Sequence, residues 1–369
     1  MSKVAFIEAS TYDREYLLTK LKQLLEPLGG IGNFVQRGDR VLIKPNLLSA
    51  HPPEKAIDTH PEFVSAVVLL LREVGAEVVV GDSPGGAVPR VEEVWEKSGL
   101  LAVAKELSFP LLNFNALPAK EIEIGGWRFR ISEEYLKADR VINLPKLKTH
   151  TLTTFTLAVK NLYGVIPGFP KVHFHLSAPT PRDFSALLVD LYRVRPPDLN
   201  ILDGILGMQG KGPSLGEPVK LNIISASDSA FALDSAVVEY LGFPQRIVPI
   251  FTEAKRRGMD WEWETVWVGE KVSPPPFKLP PRNVLYYAPR TLSKLVRPLV
   301  WMKPRVIREK CKGCGVCVEN CPPRAITMMW GYPRFDYKKC IECFCCVETC
   351  PQRAIKPYRS LVLRLFTRG

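Results

Sequence analysis

Nine cysteines stand in this chain of 369 residues, and all nine lie after position 310. All nine fall in two stretches, CKGCGVCVENC at 311–321 and CIECFCCVETC at 340–350, and eight of them share one spacing. Sulfur at that density either staples a small secreted domain or binds metal, and the redox compartment separates the two. The start, MSKVAFIEAS, lacks a basic segment followed by a long apolar stretch and a small-residue cleavage site, so no secretory leader is expected. The longest apolar run, FVSAVVLLL at 63–71, is far shorter than the ~20 residues that span a bilayer. These features predict a cytoplasmic chain whose thiols stay reduced and bind metal.

Spacing selects the metal. Cys311, Cys314, Cys317 and Cys321 follow C-x2-C-x2-C-x3-C-P, and Cys340, Cys343, Cys346 and Cys350 repeat it, with Pro322 and Pro351 closing the runs. Two such runs hold two cubane clusters, and the fourth cysteine of each run ligates the cluster of the other. Cys311, Cys314, Cys317 and Cys350 are therefore expected on one [4Fe-4S] cluster, and Cys340, Cys343, Cys346 and Cys321 on the second. Zinc is the competing metal, but its sites pair two short C-x2-C steps rather than two runs of four. Residues 305–360 resemble a bacterial ferredoxin with two four-iron clusters, down to the repeated frames CPPRAI (321–326) and CPQRAI (350–355). Cys345 interrupts the pattern. Set between Cys343 and Cys346, it reads as a spare thiol, with a ligand swap or a redox role as the alternatives.

The length and the composition, 46% hydrophobic and 24% charged, fit an ordinary globular chain of two unequal domains. A proline-rich stretch, VSPPPFKLPPR at 272–282, resists helix and marks a boundary. The expected organisation is a ligand-binding α/β domain over 1–275, a proline-rich linker over 276–301, two cluster-binding halves over 302–331 and 332–360, and a basic tail over 361–369. Net charge is +12, and residues 301–369 carry +9 of it, from 14 Lys and Arg against 5 Asp and Glu. Two clusters at roughly −2 each would leave that part still positive. Such a surface suits an acidic redox protein partner, or a peripheral membrane contact through the basic tail. No basic stripe interleaved with stacking aromatics is present, so nucleic acid is not the expected partner.

Before residue 275, apolar runs alternate with helical patterns. Strands read at 4–9, 40–46, 76–82, 140–145, 199–204 and 220–226. Thr59 or His60 caps a helix that has Pro61 in its first turn and Gly75 past its end; Thr180 and Pro181 open another, and Gly242 closes a third. Alternation of this kind predicts an α/β fold, a mostly parallel, doubly wound sheet, with a small C-terminal α+β two-cluster ferredoxin-like domain.

Ligands of such sheets bind beyond the carboxyl ends of the strands. The residues there are polar: Lys44 and Asn46 after the second strand, Asp82, Ser83, Gly85 and Gly86 after the third, Lys146, Lys148 and His150 after the fourth, Asp203 after the fifth. The three lysines predict a cationic bowl for a carboxylate or phosphate, with Gly85 and Gly86 letting backbone amides approach the anion. His150, Asp82 and Asp203 are the candidates for moving protons. The segment after His150 reads as a helix with Leu152, Phe155, Val159 and Leu162 on one buried face. Near its end Lys160 either contacts the ligand or favours the helix C-terminus. His173 and His175 share one side of an extended segment, where a metal is the weaker of two readings. Lys211 sits in a glycine-rich loop, GMQGKGPSLGEP, that closes over a ligand or is mobile. No G-x-G-x-x-G follows a strand and no G-x-x-x-x-G-K-[ST] occurs, so dinucleotide and ATP sites lack their signatures.

The stretches IKPN, GDSPGG and LPKLKTHTLTTFTLAVKNLYG resemble the family known as domain of unknown function 362, over about residues 38–240. The resemblance implies no reaction and no catalytic residues. Three functions follow from the sequence: an oxidoreductase that couples the clusters to an anionic small molecule, with an additional cofactor not specified; a non-enzymatic electron carrier or adaptor docking a redox protein; and a non-redox enzyme with structural clusters.

Overall fold

The computed structural model describes residues 1–85, 91–168, 170–280 and 301–360. Its main body is a mixed, mostly parallel sheet. The strands are β1 (Ser2–Glu8), β2 (Arg40–Pro45), β3 (Glu77–Asp82), β4 (Leu111–Asn113), β7 (Arg140–Leu144), β8 (Lys146–His150), β9 (Thr154–Thr156), β10 (Leu199–Gln209), β11 (Glu217–Ser227) and β12 (Trp263–Val268), with a separate hairpin of β5 (Ala119–Ile124) and β6 (Trp127–Ser132). The order is β12-β1-β11-β10-β7-β2-β3-β4, and β8 joins β10 and β9. β11 runs antiparallel to both β1 and β10, so that edge departs from the parallel rule.

Alternating side chains divide the core into two layers. Val41 and Ile43 of β2 and Val78 and Val80 of β3 meet helices Arg14–Leu25 and Pro61–Val74 on one face. Leu42, Val141, Leu202 and Ile223 meet helices Pro181–Val194 and Ala230–Tyr240 on the other. The helix signals act as read: His60 caps Pro61–Val74, Gly75 ends it at φ 87°, and the Thr180 side chain accepts from Asp183 N.

Pro145 shapes the functional end of the sheet. It has no N–H to donate, so the strand that begins at Arg140 breaks there into β7 and β8, while its carbonyl still accepts from Asp203 N at 2.9 Å. β8 then turns back on β9 in a hairpin that pairs Lys148 with Thr156 and His150 with Thr154. This corrects the expected helix after His150. Only Ala158–Asn161 is α-helical, followed by a tight turn over Leu162–Val165, because the Thr-rich, alternating sequence from 146 to 156 favours strand.

The cysteine-rich part pairs β13 (Met302–Val306) with β16 (Ile355–Arg359), and β14 (Ile326–Met329) with β15 (Tyr332–Phe335). Its two halves repeat each other in backbone conformation. Gly313 and Glu342, Gly315 and Phe344, Arg324 and Arg353 all take left-handed φ at matching places in the two runs. Of the expected linker only residues up to 280, with Trp301, are described; Phe277 packs on Phe155 and Phe243, and Lys278 hydrogen-bonds Gln209 and Gly210. The expected basic tail, 361–369, lies outside the described residues.

Candidate functional site

The cysteines converge across the two runs. Cys317, Cys321, Cys346 and Cys350 are buried in one small core, with Cys311 and Cys340 packed against it. Burial, then the sulfurs of Cys350, Cys314 and Cys311, push the Cys317 thiol up to about 12. Cys346 is raised by burial and by Cys343, Cys340, Cys317 and Cys321. Each set contains the crossed partner from the other run. A cavity is lined by Cys311, Cys314, Cys317 and Cys350 together. Cys321 Sγ accepts from Ala325 N at 3.1 Å and Cys350 Sγ from Ala354 N at 3.3 Å, the amide-to-sulfur bond that a ligating thiolate receives. The shared cavity and the amide-to-sulfur bonds fit this donor set to iron-sulfur clusters.

At the sheet rim the lysines are brought together and mostly buried. Lys44, at the end of β2, is fully buried with its Nζ 3.0 Å from Asp82 Oδ1 at the end of β3. Asp82 also accepts from Leu47 N at 2.9 Å and Ser83 N at 2.8 Å. Burial dominates both partners, raising the carboxyl and lowering the amine. Lys146 repeats the arrangement one strand over, donating to Asp203 Oδ2 at 2.7 Å, while Tyr12, stacked on His60, donates to Asp203 Oδ1 at 2.7 Å. Lys148 donates to Ile57 O at 2.5 Å and stands near Asp58, whose second carboxylate oxygen is buried without a partner among the described residues. The expected open cationic bowl is therefore corrected: Lys44 and Lys146 are neutralised by aspartates, since two buried cations in one apolar wall need compensation.

A chain of buried amides ties these strands. Asn46 donates to Asn161 at 2.9 Å, Asn161 to Asn143 at 2.8 Å, and Asn143 to Asn200 at 2.8 Å. Gly164 closes the other side; a Cβ there would lie 2.0 Å from Asp82 Oδ1 and 2.6 Å from Lys44 Nζ. Lys171 anchors the loop after β3, donating to Ser83 O at 2.6 Å and Ser83 Oγ at 3.0 Å.

The cluster module abuts this rim. Glu348, on the short helix Cys345–Glu348, brings Oε1 to 3.6 Å from His150 Nε2. His150 Nδ1 accepts from Leu152 N and Thr153 N, so a neutral ring carries its proton on Nε2, facing Glu348. Burial and the neighbouring Lys160, His175 and Lys148 hold His150 far below its ordinary value. Lys160 is partly exposed, makes no hydrogen bond or ion pair among the described residues, and sits 5.9 Å over the rings of Tyr163 and Phe184. Its amine falls to about 8, lowered by burial and partly restored by Glu348 and Cys345. Cys345, the odd cysteine, is buried and faces Lys160 and Tyr163.

The structure thus joins Lys44, Asn46, Asp82, Ser83, Lys146, Lys148, His150, Lys160 and Asp203 in one region. Gly85 does not offer its amide to a ligand, since it donates to Leu48 O at 3.0 Å; Gly86 lies outside the described residues. His173 and His175 lie on helix Pro170–Ser177, where alternate residues diverge, and His175 stacks on Phe184. Lys211 stands apart from the lysine cluster, on the wall of a groove against the cluster module. Sequence reasoning missed Asp58, Lys171, Glu348, Tyr12 and the three asparagines joined to Asn46, which are Asn143, Asn161 and Asn200. Glu348 had a signal, its place between Cys346 and Cys350; the others are joined only by the fold.

Comparison with known proteins fits these two parts. Residues 41–239 match the domain of unknown function DUF362, and residues 303–351 match a 4Fe-4S dicluster domain. A thylakoid-associated protein of Synechocystis sp. is 38% identical over 261 residues, covering 70% of this chain and 81% of its own. Two solved structures are far more distant. The lactate racemase apoprotein from Thermoanaerobacterium thermosaccharolyticum has a TM-score of 0.39 at 11% identity over 64% of this chain, and a Thermotoga maritima protein 0.35 at 16% over 55%. The chain spans 56% and 52% of those two structures, and likenesses of that size carry no argument about activity. The chain belongs to the DUF362 family and carries an iron-sulfur domain behind the family domain.

Proposed function

We propose that this DUF362 chain is an electron-transfer protein that exchanges single electrons with an anionic small molecule held beside Lys148, His150 and Lys160. Two [4Fe-4S] clusters on the eight cysteines would supply the one-electron chemistry. The observation that carries the reading is the buried contact of Glu348 with His150: a residue between two cluster ligands touches the strand that bears the rim lysines. Lys160 attracts the anion, since among the described residues it makes neither a hydrogen bond nor an ion pair, whereas Lys148 and Lys171 are held by the carbonyls of Ile57 and Ser83. Lys44 and Lys146, locked to Asp82 and Asp203, fix the strand ends rather than bind the ligand. His150, its Nε2 proton facing Glu348, holds that carboxylate at the rim, and Asp58, with a bare carboxylate oxygen, is positioned to hold a proton.

A protein redox partner is the second reading. Trp330, 85% exposed, stands with Met328 and Met329 on the β14–β15 hairpin, where such side chains suit a docking face. Among the described residues no helix is long and apolar enough to cross a membrane. The thylakoid association in the relative's name makes a membrane surface a setting to test, with the basic tail as the contact.

The test is anaerobic. Iron-loaded protein is reduced, and the small molecules that co-purify with it are added while cluster absorbance is followed. Reoxidation that Lys160→Met slows at least tenfold, at unchanged iron content, supports the reading. Reoxidation by a carrier protein alone, indifferent to Lys160, supports the second reading instead.

A further inference from the structure

Residues of the module and of the α/β domain together line a groove of about 570 Å³. One wall is the glycine-rich loop at 210–216. That loop is held in place: Gly210 N donates to Lys278 O at 2.8 Å, Gly212 N to Thr149 Oγ1 at 3.2 Å, and a Cβ on Gly212 would lie 2.1 Å from Thr149 O. The opposite wall comes from β16 and the second cysteine run, and Arg353 reaches across it to Gly216 O at 3.4 Å.

Its chemistry is lopsided. Lys211, Arg353, Lys356 and Arg359 line it with Met302 and Phe344, and its one acid, Glu348, is turned towards His150. Among the described residues Lys211, Arg353 and Lys356 have no carboxylate within ion-pair reach. Like charges gathered around a concave site repel one another, and an anion relieves that repulsion. The volume falls within the ~300–1,000 Å³ of small-molecule sites, and a concave cleft suits a small molecule better than a protein face.

We propose that this groove binds a small molecule bearing a phosphate or carboxylate on an apolar body, with the anion on Lys211, Arg353 and Lys356 and the body against Met302 and Phe344. Phe344 lies between Cys343 and Cys345, so the bound molecule rests against the loop of the second cysteine run. The inference rests on the electron-transfer reading and adds to it an anion groove beside Glu348 and the second cysteine run. It is tested by binding without turnover, so either can fail without the other.

Anaerobic calorimetry on the iron-loaded chain uses 4-nitrophenyl phosphate, 4-nitrobenzoate and inorganic phosphate as probes. One aromatic anion should saturate a single site at least tenfold more tightly than inorganic phosphate, and the better of the two identifies the head group. The double variant Lys211→Glu, Lys356→Glu should weaken it at least tenfold, about 1.4 kcal/mol. Lys211→Arg with Lys356→Arg should retain it, and Lys97→Glu, on a distant helix, should change it less than twofold. No saturable binding, an equal loss with Lys97→Glu, or indifference to the double charge reversal would each overturn the proposal.

Discussion

Replacing Lys44 by Met tests whether the rim ion pairs are structural. Lys44 and Asp82 are both almost fully buried, 3.0 Å apart. Without the amine, Asp82 keeps two backbone donors, Leu47 N and Ser83 N, and its nearest remaining cation is Lys171, which is engaged with Ser83. A buried charge that loses its partner costs roughly 3–5 kcal/mol. Protonation sets a ceiling on that loss, because forcing an ordinary carboxyl of pKa ~3.9 to stay neutral costs ~5.6 kcal/mol at pH 8 and ~1.5 kcal/mol at pH 5. Burial already raises the folded-state pKa of Asp82, so its charge disfavours the fold increasingly as pH rises, and loss of Lys44 steepens that slope. Urea unfolding followed by tryptophan fluorescence should show Lys44→Met less stable than the parent by ~3–5 kcal/mol at pH 8 and by ~1.5 kcal/mol or less at pH 5. Adding Asp82→Asn should recover ~2 kcal/mol at pH 8. A loss below ~1 kcal/mol at pH 8, or equal losses at both pH values, would refute the reasoning.

Two other perturbations probe the same region. Gly164→Ala drives a methyl to 2.0 Å from Asp82 Oδ1 and should destabilise by ~2–4 kcal/mol in the same urea assay; a change under ~0.5 kcal/mol would mean the pair can move aside. Cys345→Ala should leave iron and sulfide content unchanged, since the other eight cysteines account for both ligand sets; loss of about half the iron would make Cys345 a ligand.

Local signals were legible where the chain decides locally. The caps at His60 and Thr180, the stop at Gly75 and the strands that close on Lys44 and Asp82 all depend on near neighbours, whereas the strand expected to stop just past Asp203 runs on to Gln209, paired along its length with β11. The β8–β9 hairpin was misread because Leu152, Phe155, Val159 and Leu162 fit a helical period while Lys146, Lys148 and His150 fit a strand period, and packing chose the strand. The neutralisation of the lysines was illegible for another reason. Asp203 is 57 residues from Lys146, and only the parallel pairing of β8 with β10 puts them in register. Glu348 meets His150 from another domain, and no periodicity carries that information.

The central claim is that rim and metal module form one electrical unit, with the second cysteine run nearest the rim. Voltammetry of the anaerobic, iron-loaded protein tests this through Lys160→Met, which removes one positive charge beside Cys345 and Glu348. The account predicts that one of two one-electron waves moves to lower potential, on the order of tens of millivolts, while the other stays in place. Two unmoved waves, or equal shifts in both, would contradict it.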